Sequence, residues 1–111
     1  MFDSLTNTEK KAIARIGLGI LGIKTGGRIR TNEPAIYNLF VDVFDVCSQE
    51  EILPILQELM TIDQDYATRI CASLSYSEKD EFRRYLIAAA EGDNRTLLAT
   101  AFFMKNIGFT M

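Results

Sequence analysis

The side chains able to do chemistry in this chain are carboxylates, two thiols and four phenols, because its 111 residues include 15 Asp and Glu, two Cys, four Tyr and no His. Without imidazole there is no Cys-His or Ser-His nucleophilic pair, no His-containing zinc site and no imidazole acid-base switch. Cys47 and Cys71 each stand beside apolar neighbours, which predicts two small buried hydrophobes. Paired carboxylates are the acid-base option that remains. Asp42 and Asp45 lie beside Asn38, and Glu50, Glu51, Asp63 and Asp65 form a looser acidic group. A solvated helix face accounts for both more simply, so neither predicts an enzyme. The four tyrosines have no basic stripe interleaved with them that would stack nucleic-acid bases.

One phosphate-binding string is present: Gly17-Leu18-Gly19-Ile20-Leu21-Gly22 has the G-x-G-x-x-G spacing, with Asp42 twenty residues beyond it. Its context fails. The fingerprint needs a strand before it and a long helix after it, yet Thr6 with Glu9 predicts a helix before it, and Gly26, Gly27 and Pro34 interrupt the stretch after it. The glycines are read as places where another helix approaches closely, at a cost of about 0.8–1.0 kcal/mol each relative to alanine.

The elements that hold these groups are predicted to be helices throughout. Ser or Thr followed three residues later by Glu or Gln marks a helix N-terminus, because each side chain satisfies an amide that the first turn leaves unpaired. Thr6/Glu9, Ser48/Glu51, Thr61/Gln64 and Ser75/Glu78 have this form, Asn32 precedes Glu33-Pro34, and Asp93 or Asn94 comes after the break at Gly92. Six helices are implied, in one all-α domain spanning 1–111. The second puts Ile36, Leu39, Phe40, Val43, Phe44 and Cys47 on one face and Asn38, Asp42, Asp45 and Gln49 on the other. The third carries a broad stripe, Ile52, Leu53, Ile55, Leu56, Leu59 and Met60, with Pro54 expected to kink it or delay its start. In the fifth, Phe82, Tyr85, Leu86 and Ala89 turn inward, and Lys79, Asp80, Arg83 and Arg84 outward. The predicted core is Ile16, Ile20, Leu39, Phe40, Val43, Phe44, Leu56, Leu59, Phe82, Leu86 and Phe102.

Charge and hydropathy narrow the partners. A net charge of -3 with scattered basic residues argues against a nucleic-acid footprint. The most apolar run, Ile16 to Ile23, lies between Arg15 and Lys24 and is far short of the roughly 20 residues a membrane span needs. No secretory signal pattern precedes it, so a cytoplasmic location is the default. The C-terminal segment from Phe102 is apolar on more than one face, so it must be covered by its own domain or by a partner. Phe103, Ile107 and Phe109 are the residues expected to contact a protein partner or a second copy in a homodimer.

Between the first two helices stands Lys24-Thr-Gly-Gly-Arg-Ile-Arg-Thr-Asn-Glu33. Here the chain resembles the tellurite-resistance TerB-like family, small helical domains with Asp-Gly-x-Ile-x-x-x-Glu between their first helices. Gly27, Ile29 and Glu33 stand at the matching spacing, and Gly26 replaces the aspartate. That family is a pseudo-repeat, and Thr8-Glu9-Lys10 is echoed by Ser77-Glu78-Lys79, with a second break at Ala90-Glu91-Gly92-Asp93. Leu98 takes the distal acidic position of that second copy.

The resemblance implies a Ca²⁺ or Mg²⁺ site built from Glu33, Glu91 and Asp93, since hard cations favour several oxygen ligands. The residues by themselves predict negative charge placed at helix N-termini. The expected function is a non-enzymatic protein-protein interaction domain, of a stress-response or mobile-element system, without a resident cofactor. The alternative is a degenerate TerB-like cation-binding module.

Overall fold

The computed structural model describes residues 1–109, and they form six α-helices with no strand among them. These are α1 (Asn7–Leu21), α2 (Pro34–Phe44), α3 (Gln49–Leu59), α4 (Gln64–Ala72), α5 (Tyr76–Ala90) and α6 (Asn94–Asn106), with a 3-10 turn at Gly22–Thr25. None is long and apolar enough to cross a membrane.

Side-chain caps set most of the starts. The Thr6 hydroxyl accepts from the Glu9 amide at 3.2 Å while the Glu9 carboxylate accepts from the Thr6 amide at 2.8 Å. Ser75 and Glu78 repeat this reciprocal arrangement at α5, and both α1 and α5 run for 15 residues. Ser48 and Asp93 cap α3 and α6 as expected. Two starts differ from the sequence reading. Asp63, not Thr61, caps α4, because the Thr61 hydroxyl is engaged with the Glu58 carbonyl at 2.7 Å at the end of α3. Glu33, not Asn32, takes the cap position of α2 without a side-chain bond, and Pro34 supplies the preset φ of the first turn.

The end of α2 corrects a second expectation. Asp45 adopts a left-handed conformation at φ 57° and stops the helix, although the apolar spacing continues beyond it. Cys47 therefore falls in a loop and is exposed, while Cys71 is buried; Gln49 opens α3 and does not belong to the face of α2. Pro54 does not delay α3, which starts five residues earlier and carries the proline on its exposed side.

The bundle is organised around α1, which packs against each of the other five helices. Ala12, Ile13, Ala14, Ile16, Leu18, Ile20 and Leu21 are all buried, so this helix is covered on more than one side. Gly17 permits the approach of α2: a Cβ there would meet the Leu39 methyls at 3.1 and 3.2 Å. Of the predicted core, Ile16, Ile20, Leu39, Phe40, Val43, Leu59, Phe82 and Leu86 are buried, Phe44 and Leu56 half-buried. Phe102 is not in the core; it is 68% exposed. Leu53 and Met60, from the stripe expected on the third helix, are likewise exposed.

Two threonines explain the error at Phe102. The inward face of α6 is Thr96, Thr100, Met104 and, beyond its last turn, Ile107. The Thr100 hydroxyl donates to the Thr96 carbonyl at 2.9 Å, and that of Thr96 donates to the Asp93 carboxylate at 2.6 Å. With their polar atoms satisfied by their own helix, both can be buried at little cost. The helix is thereby rotated relative to the face that hydrophobicity alone suggests.

Candidate functional site

The carboxylates singled out in the sequence do not form a centre. Glu33 caps α2, Glu91 closes α5 in a left-handed conformation at φ 48°, and Asp93 caps α6. Hydrogen bonds from the Thr96 hydroxyl and amide hold the Asp93 carboxyl below its usual range and occupy one of its two oxygens. Among the described residues no three Asp, Glu or Cys side chains converge closely enough to hold a metal ion.

Asp42 and Asp45 are also separated in role, since Asp45 lies past the end of α2 and Asp42 accepts the Tyr85 hydroxyl at 2.8 Å. Asp42 and Tyr85 lie in a cleft of about 550 Å³ between α2 and α5, together with Asn38, Glu81, Arg84 and Glu91. Several of its polar groups already have internal partners. Arg84 pairs with Asp80 at 3.0 Å, and Glu81 accepts from the Phe2 amide at 3.2 Å. Phe2, to which no sequence signal pointed, is buried edge-on against Tyr85 and Phe82. The cleft thus serves to join the chain start, α2 and α5.

The glycine string has no phosphate-binding geometry. Gly17 and Gly19 lie within α1 and Gly22 opens the 3-10 turn, so no strand precedes a free helix N-terminus there.

The C-terminal residues expected at a partner surface divide. After α6, the Gly108 amide donates to the Lys105 carbonyl and the Phe109 amide to the Met104 carbonyl, at 3.0 and 2.9 Å, with Gly108 left-handed at φ 77°. This paired closure folds the chain end back over the helix. Ile107 and Phe109 become 3% and 4% exposed, so they serve the chain's own core and are not free for a partner. Phe103 is half-buried and edge-on to Phe82, ring centroids 6.2 Å apart.

The apolar surface that α6 does offer is on the side opposite Thr96 and Thr100. Leu98 and Phe102 are 60% and 68% exposed, four residues apart on one face. Ile87 is exposed on α5. Beside them runs a groove of about 490 Å³ floored by Ile87, Leu97, Ala101, Met104 and Phe109. Its charged residues are Arg83 and Lys105, with no carboxylate lining it. Arg83 donates through Nη2 to Asp80 at 2.8 Å and lays its guanidinium 5.7 Å from the centre of the Phe109 ring. Its Nε is buried and without an acceptor. A buried donor left unpaired is costly, and this one is enclosed by the protein itself.

Comparison of the chain with protein-family models, with curated proteins and with solved structures found no match in any of the three.

Proposed function

We propose that this chain is a protein-interaction domain whose binding surface is the outer face of α5 and α6. The observation that carries the reading is the exposure of Leu98 and Phe102 beside an apolar groove whose charged residues are Arg83 and Lys105. Large apolar side chains clustered in the open favour association. The surface replaces the one expected from Ile107 and Phe109, which the closing turn buries. It needs no nucleophile and no cation.

The test is a photo-cross-linking amino acid placed at Phe102 of the full chain, expressed in the organism that encodes it, with the same probe at the exposed Ser73 as control. Discrete adducts at position 102 and none at position 73 are expected. Equal labelling at both positions, or none at either, would overturn the reading.

A further inference from the structure

We infer that the occupant of the α5–α6 groove is helix α3 of a second copy of this chain, so that copies join head to tail. This rests on the reading of the groove as an interaction surface. The charged side chains of α3 are Glu50, Glu51 and Glu58, with no Lys or Arg. Glu58 is taken by Lys11 at 2.6 Å, which leaves the first turn as the acidic end. Glu50, Leu53, Gln57 and Met60 succeed one another at helical spacing. Leu53 and Met60 are large apolar groups left exposed.

The two surfaces are complementary in order as well as in sign. Along α3, charge gives way to apolar bulk over about 15 Å, ten residues at 1.5 Å each. Along α6, Lys105 gives way to Phe102 and Leu98 over about 10 Å, with Arg83 and Ile87 of α5 on the other wall. Seating Glu50 against Lys105 brings opposite charges together, and the same register lays Leu53 and Met60 on Phe102 and Leu98. Both surfaces are exposed in a single chain, so neither covers the other there. A contact between two different patches is heterologous, and each copy keeps one free surface of each kind.

Sedimentation of the full chain and two variants tests this. Leu98→Asp/Phe102→Asp puts repulsive charge on the exposed face of α6 beside the groove, and Glu50→Lys/Leu53→Lys does so on α3; all four positions are exposed, and circular dichroism checks that helicity is retained. The wild type is expected to grow in mass with concentration and each variant alone to remain monomeric. The mixture should give a species of about twice the monomer mass, because each variant keeps the surface the other lacks.

A wild type that stays monomeric, or a mixture that does not combine, would overturn the inference. So would an α3 variant that still dimerises, since that requires the α5–α6 faces to meet each other. Cross-linking of position 102 to a different protein leaves the interaction reading standing while this inference falls. If position 102 also captures nothing, both fall together.

Discussion

Tyr85 of α5 donates its phenolic hydrogen to the carboxylate of Asp42 on α2 at 2.8 Å, and that single bond spans the cleft of about 550 Å³ between the two helices. Burial first, and then the neighbouring carboxylate, push the phenol above its ordinary value of 10.0. A raised acid favours its protonated form in the native state, so its contribution is complete below the unfolded value and is lost as pH rises through the folded one. Stability is expected to fall above about pH 10. In Tyr85→Phe that alkaline loss should be smaller, while stability at neutral pH drops by about 0.5–1.5 kcal/mol. Urea unfolding of both proteins at a series of pH values checks this, and parallel alkaline curves would count against it.

The glycines of α1 make opposite predictions within one turn. Gly19 has nothing within 4 Å of an added Cβ, whereas Gly17 has the buried Leu39 at 3.1 Å. Gly19→Ala should stabilise the fold by about 0.5–1 kcal/mol through helix propensity. Gly17→Ala gains the same propensity but must displace a side chain fully enclosed in the core, so it should be the less stable of the two. Thermal melts of the pair give the order directly.

Thiol chemistry separates the cysteines. Burial pushes the Cys71 thiol up to about 12, and Cys47 stands exposed in the loop after α2. A thiol-specific chromogenic reagent at pH 8 should modify Cys47 promptly and reach Cys71 only on denaturation, since the thiolate is the reacting species. Prompt modification of both would mean that solvent reaches Cys71 in the native fold.

The lack of any group of three converging Asp, Glu or Cys side chains among the described residues bears on the cation reading drawn from the TerB-like resemblance. A ligand bound only by the native state must raise its melting temperature. Millimolar Ca²⁺ or Mg²⁺ is expected to leave the melt unchanged relative to matched ionic strength. An upshift that disappears in Glu33→Gln would restore the cation site.

Much of the architecture was legible because local rules and packing agree. Thr6, Ser48 and Ser75 cap where their spacing says they should, as Asp93 does after the Gly92 break, and the apolar period of α2 matches the residues that are buried as far as Val43. Two of the failures share one cause: hydrophobicity points one way where a backbone event decides the outcome. Asp45 ends α2 through its left-handed conformation and leaves Cys47 outside. Gly108 turns the chain back and takes Ile107 and Phe109 into the core. The candidate site was half visible: an apolar C-terminal segment stands out in the sequence, but its free face does not. The signal that could have found Phe102 is the Thr96, Thr100, Met104 series at intervals of four, with Asp93 placed to satisfy the first hydroxyl.

The central place of α1 constrains how this chain can reach its native state during synthesis. Of the six helices, the first in chain order is also the one sheathed by all the others, and α5 and α6, which complete that sheath, are made after the other four. Until they are, the part of α1 that packs on α5 and α6 lacks its cover. No cut between successive helices yields a piece with its own closed interior, so folding is expected as one cooperative event late in translation.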